Sequence, residues 1–131
     1  MRAAEITPVS TKDAPAAAGH YVQALRHGGL VYVSGQLPVA PDGSHHPQAD
    51  FETQARQAIA NLLAVTRAAG ASAETLLKVT VYLVDVANWP RFNAIYAQML
   101  GDLRPARSVV PVPELHYGYL VEIDAIAACH A

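Results

Sequence analysis

Hydrophobic and polar positions change their spacing several times along the chain, and each change marks an element. Residues 1–19 show no period and are rich in Ala, Pro, Ser and Thr. Of these, residues 1–15 read as an extended N-terminal arm on a single domain covering 1–131. YVQALRHGG and LVYVSGQLPV read as two strands joined at Gly28-Gly29, a turn signal. Residues 38–49, PVAPDGSHHPQA, hold three prolines and a glycine and form a loop. From 51 to 69 the spacing becomes helical. Phe51, Ala55, Ile59, Leu62, Leu63 and Thr66 share one stripe, and Glu52, Arg56 and Arg67 point elsewhere. Asp50 suits the N-cap of this helix and Gly70 the position just past its end. LLKVTVYLVDV, 76–86, is β-branched and apolar, hence a strand. Asn88 caps a second helix with Pro90 in its first turn. Phe92, Ile95, Tyr96 and Met99 form its buried stripe, and Gly101 ends it. Two strands follow, at about 106–112 and 119–128.

The order β-β-α-β-α-β-β predicts an α+β fold, one sheet with two helices. Two helices cover one face of such a sheet. Yet Leu77, Val79, Val81 and Leu83 alternate with Leu76, Lys78, Thr80, Tyr82 and Val84, so both faces of that strand are largely apolar. LVYV and AIAA share this character. A second apolar face would leave a large patch in water, which predicts self-association through the sheet as a homo-oligomer. The alternative is a face covered by the arm and loops.

Composition narrows the chemistry. With 131 residues, 52% hydrophobic and 15% charged, the chain can bury a substantial single core. Its formal net charge is −2, and its Lys and Arg residues are scattered, which argues against nucleic acid as a partner. Cys129 is the one cysteine, so no internal disulfide forms. The N-terminus has no long apolar run, which predicts no membrane partner and a soluble, cytoplasmic protein. The six histidines show no metal-ligand spacing, Cys129 lacks a C-x-x-C partner, and Ser34 in VSGQ is not a nucleophile elbow. No phosphate loop or dinucleotide fingerprint is present, so neither metal nor cofactor is expected. What remains is Arg107, at the start of a Val-rich strand, and the acids Glu122 and Asp124 in the last strand. Lone charges in apolar strands are costly. One reading is an ion pair between Arg107 and either acid, or a solvated edge. The other is an arginine fork awaiting a substrate carboxylate, with a carboxylate nearby to hold or deprotonate a water.

GHYVQA (19–24), VYVSGQLPV (31–39), QARQAIANL (54–62), LKVTVYLVD (77–85), FNAIY (92–96), RPARSVV (104–110) and VEIDAIA (121–127) resemble the Rid family. This family is also called the YjgF family of enamine/imine deaminases and carries the endoribonuclease L-PSP label. The resemblance runs from about residue 16 to the end and implies a chorismate-mutase-like α+β fold. It also implies a central last strand and a homotrimer with sites between subunits. The implied activity is cofactor-free hydrolysis of 2-imino and enamine acids, such as 2-iminopropanoate, to 2-keto acids and ammonia. Arg107 stands where the family's arginine binds the substrate carboxylate. Glu122 stands where its glutamate handles the attacking water. Tyr21 lines the implied pocket, and Ser34, Gly35 and Gln36 form a further wall. Asp124 matches no family role. The chain departs from the pattern at His20, at Val109, where Thr or Cys is common beside the substrate, and at Glu114–Tyr119. His116, Tyr117 and Tyr119 then either shape a larger, more aromatic site or form a turn that merely packs. Two other functions stay open: a non-enzymatic, carboxylate-binding regulatory trimer, and an endoribonuclease or translation inhibitor.

Overall fold

Alternation along the strands builds one sheet, whose buried side is closed by the two amphipathic helices. The computed structural model describes residues 5–131, so residues 1–4 of the expected arm lie outside the described residues. The elements are β1 (Thr7–Val9), β2 (Ala24–His27), β3 (Leu30–Gln36), α1 (Phe51–Ala68), β4 (Leu76–Val84), α2 (Trp89–Leu100), β5 (Ala106–Val112) and β6 (Val121–Ala128). The sheet order is β1-β2-β3-β6-β4-β5, antiparallel throughout except for the parallel β4–β5 pair. This is the expected α+β architecture, with the last strand central. In AIAA, Ala125 and Ala127 are buried beneath the helices, while Ile126 and Ala128 are half-buried on the other face.

Several local expectations change. Thr7–Val9, assigned to the arm, form an edge strand on β2. The first expected strand shortens to Ala24–His27, because Gln23 turns inward to bond the arm. The strand expected over 76–86 ends at Val84, and Leu77 does not share a face with Val79. Against β6 the register runs from Leu76↔Ala127 to Lys78↔Ile126, so Leu77 is the extra residue of a bulge and is exposed.

Helix α1 begins as predicted: the Asp50 carboxylate accepts the Thr53 N–H at 2.8 Å. Gly70 takes φ 88°, the left-handed conformation that ends a helix cheaply. Asn88 sits at the start of α2 but its side chain makes no cap; its amide donates back to the Val84 carbonyl at 3.0 Å. On α2 the buried stripe is Phe92, Ile95, Tyr96 and Leu100, with Met99 half-buried.

Val31, Val33, Val79, Val81, Leu83, Val121, Ile123, Ala125 and Ala127 pack beneath the helices. The other face carries Tyr32, Tyr82, Val84, Val110 and Ile126 among Lys78, Thr80, Glu122 and Asp124. Neither helix covers it, and Tyr32 and Val110 remain exposed. Among the described residues, no helix is long and apolar enough to cross a membrane.

Candidate active site

The β3–β6 ladder carries a second bulge, and it lies beside the proposed acid. Register runs from Val33↔Ala125 to Gln36↔Ile123, which inserts one residue at Ser34–Gly35. Gly35 is thereby brought against Glu122: a Cβ on Gly35 would lie 2.6 Å from Glu122 Oε2. A side chain at position 35 would displace the carboxylate. Glu122 lines a cavity of about 570 Å³ together with Tyr21, Ser34, Gly35, His116 and Tyr117. Burial raises the Glu122 pKa, the neighbouring His116 lowers it, and Asp124 raises it further.

The cavity walls are held by polar side chains, of which Gln23, Gln54 and Asn61 are buried. The Gln23 amide accepts Thr11 N–H at 2.7 Å and donates to the Pro15 carbonyl at 2.8 Å, which fixes the arm where it passes the cavity. The Ser34 hydroxyl donates to the Val22 carbonyl at 2.7 Å, and the Tyr21 hydroxyl accepts Ala18 N–H at 3.2 Å. On α1, Asn61 donates to the Leu37 and Val39 carbonyls, while Gln54 donates to Ala49 and accepts Leu120 N–H. The loop from 37 to 49 is thus tied to both α1 and the start of β6. The Tyr119 hydroxyl accepts His46 N–H at 3.1 Å and lies 3.1 Å from His45 Nδ1. Tyr21 and Ser34 are expected at the pocket from the sequence, and Tyr119 is one of the residues that either shape it or merely pack, but the supports from Gln23, Gln54 and Asn61 were not assigned from the sequence. Gln54 and Asn61 had a readable signal: two amides spaced seven apart, on the side of the helix that also carries Ala58 and Val65. Polar groups survive there only when bonded.

Arg107 lies elsewhere. Its register partner is Val79, whose partner in turn is Ala125, both on the helix-covered face. Glu122 pairs with Tyr82, and Tyr82 with Val110, on the open face. Arg107 Nη2 donates to Asn93 Oδ1 at 3.0 Å, and its guanidinium carbon sits 4.8 Å from the Tyr96 ring centroid. An intrachain ion pair from Arg107 to Glu122 or Asp124 is therefore ruled out. The one ion pair among the described residues joins Arg56 to Glu52 at 3.5 Å. Asp124 instead accepts the Tyr82 hydroxyl at 3.2 Å. Val109 shares the face of Arg107 and packs against the core, outside the Glu122 cavity. Among the expected site residues, the structure gathers Tyr21, Ser34, Gly35, Tyr117 and Glu122, and places Arg107 and Val109 apart from them.

The sequence pattern of the endoribonuclease L-PSP family matches residues 11–129. The chain belongs to this family, the YjgF/Rid family. Within it, the chain is 38% identical over 119 residues to a RutC family protein of Pyrococcus horikoshii, covering 91% of this chain and 94% of that one. It is 38% identical over 122 residues to Escherichia coli TdcF, named as a candidate reactive intermediate deaminase, covering 91% of this chain and 94% of that one. A crystal structure of TdcF with bound serine superposes with TM-score 0.88 at 36% identity, over 95% of this chain and 99% of that one. Yeast Mmf1 superposes with TM-score 0.92 at 37% identity, over 96% of this chain and all of that one, 100%. The YjgF/Rid fold thus extends over nearly the whole chain.

Proposed function

We propose that this YjgF/Rid protein hydrolyses 2-imino acids and their enamine tautomers to 2-keto acids and ammonia, without a cofactor, as a homotrimer. The observation that carries this reading is the Glu122 carboxylate. It is half-buried, has no salt-bridge partner among the described residues, and borders a cavity with space for an imino acid beside Gly35. A carboxylate in that state suits general-base work, since burial raises its basicity.

In the proposed reaction, Arg107 holds the substrate carboxylate through two parallel N–H donors. Water adds through oxygen to C2 of the iminium, and Glu122 takes the proton released. That proton passes to nitrogen, the C–N bond breaks with its electron pair going to nitrogen, and ammonia leaves. The hydroxyl proton passes to water as the C=O bond forms. The substrate is already electrophilic, so positioning of water and carboxylate supplies most of the acceleration. Arg107 and Glu122 face opposite sides of one sheet, so the reading needs Arg107 from one copy and Glu122 from its neighbour. The open sheet face offers the surface for that assembly. Serine bound to TdcF supports a ligand with a carboxylate next to a nitrogen-bearing carbon.

The test is ammonia release from imines generated in place by an amino-acid oxidase, measured above the spontaneous rate, with Arg107→Ala as control. Turnover that vanishes in the control supports the deaminase. Binding of 2-ketobutyrate in a calorimeter without any turnover selects the carboxylate-binding regulator instead. Cleavage of RNA by RNase-free protein, abolished in Arg107→Ala, would select the endoribonuclease.

A further inference from the structure

Part of the lining of the Glu122 cavity is aromatic, and it comes from two segments that the sequence keeps far apart. His45, from the loop between β3 and α1, places its ring 4.3 Å from the Tyr117 ring, centroid to centroid, at an interplanar angle of 44°. His116 lies next along the rim, its ring 6.2 Å from Tyr117. Tyr119, only 1% exposed, anchors both segments, with its hydroxyl 3.1 Å from His45 Nδ1 and 3.1 Å from the His46 nitrogen it accepts from. Tyr117 adopts φ 65°, ψ 9°, a left-handed conformation that a tyrosine rarely takes. The turn holds the ring at the cavity mouth rather than tucking it away: Tyr117 is 54% exposed. The same cavity is lined by Ala16, Ala17 and Ala18, whose methyl groups fill little space, along a backbone that Gln23 pins through Thr11 and Pro15.

Aromatic rings and small alanine side chains together line this slot. The cavity measures about 570 Å³, within the range of roughly 300–1,000 Å³ that encloses ligands far larger than an imino acid bearing a single methyl group. We infer that this slot receives the substrate side chain and that the site selects 2-imino acids with planar aromatic side chains, Tyr117 and His45 being the residues that determine the preference. The inference rests on the deaminase reading of the same cavity. With C2 beside Glu122 and the carboxylate directed to Arg107 of a neighbouring copy, the slot is the remaining space for a side chain. Stacking against Tyr117 and His45 favours an aromatic ring over an alkyl group.

The experiment compares kcat/KM for the imines of phenylalanine and alanine, both generated in place, in wild type, Tyr117→Gly and His45→Ala. Glycine adopts φ 65° without strain, so Tyr117→Gly removes the ring and leaves the turn intact. Expected in wild type is a phenylalanine-to-alanine ratio of about 10, which falls to about 2 or below in Tyr117→Gly, on the scale of one aromatic pair. A wild-type ratio near unity, or a ratio that neither variant changes, overturns the inference. Calorimetric titration with phenylpyruvate and pyruvate separates this outcome from failure of the deaminase reading. Tighter phenylpyruvate binding that Tyr117→Gly abolishes, without turnover of either imine, removes the deaminase and keeps the aromatic slot. Equal binding of the two keto acids removes the slot.

Discussion

The two faces of the sheet treat their charged residues in opposite ways. On the helix-covered face, Arg107 is given partners before any ligand arrives: the side-chain amide oxygen of Asn93 at 3.0 Å and the Tyr96 ring beneath the guanidinium. On the open face, Glu122 is given space. The bulge brings Gly35 against it, the missing Cβ there leaves it room, and among the described residues its carboxylate accepts no hydrogen bond. Held donors beside a free carboxylate are what a clamp and a base respectively require. The strand period of two then separates them, because β5 and β6 both pair with β4 in registers that put Arg107 and Glu122 on opposite sides. One copy of the chain holds both halves of the proposed chemistry and cannot bring them together. On this reading, assembly is a condition of catalysis.

The sharpest way to break that comparison is complementation. Arg107→Ala and Glu122→Gln are each expected to be inactive alone. Refolded together in equal amounts, they should regain activity in about a quarter of sites, the fraction in which a shared site draws both intact residues from random neighbours. A mixture that stays dead while forming mixed oligomers, followed by native mass spectrometry, would mean that each chain supplies its own site. Next in size is Arg107→Lys, which keeps the charge and loses the planar fork. We expect kcat/KM to fall by roughly 10- to 100-fold, on the scale of about 1.5–3 kcal/mol for a charge-assisted hydrogen bond. Unchanged kcat/KM would end the clamp assignment.

Asn93→Ala probes the preparation of the clamp. It removes the acceptor that orients Arg107, at a cost of about 1 kcal/mol, or roughly fivefold. The loss should fall on KM with kcat nearly constant, since the carboxylate is held alike in ground and transition states. A lowered Tm with KM unchanged would show that Asn93 only stabilises α2 against β5.

Much of this was legible in the sequence, for identifiable reasons. The helix over 51–68 carried its stripe, its Asp50 cap and its terminal glycine, three signals that agree. Leu77 misled because alternation assumes an unbroken ladder, and a bulge shifts one residue without altering composition. The arm's edge strand was hidden because three residues, Thr7–Val9, are too few to show a period. At the site, the residues alone left Glu122 and Asp124 open beside Arg107, and the family resemblance singled out Glu122 and Arg107; neither carried anything about which face each would occupy, since that depends on the registers of β4 with β5 and β6. His45 was unreadable as a pocket residue: its neighbours Tyr117 and Tyr119 lie more than seventy positions away, and only the folded loop joins them.

The smallest expected effect concerns pH, and it tests whether Glu122 is the free carboxylate of the comparison. Burial raises its pKa and His116, when positively charged, lowers it. A base works ionised, so the acid limb of kcat/KM should lie above the ordinary glutamate range, and His116→Asn should move it higher still, with little change in turnover at neutral pH. The same shift has a sign in stability. Folding raises the pKa, so between the unfolded and folded values the native chain binds more protons than the unfolded chain. Stability from this group is therefore full below the unfolded value and is lost as pH rises through the folded one. Glu122→Gln has no such dependence. Its Tm should match wild type at low pH and exceed it increasingly as pH climbs through that window. A Tm difference that stays flat, or that shrinks with rising pH, would mean that the Glu122 carboxylate is paired in the assembled protein and is not the waiting base.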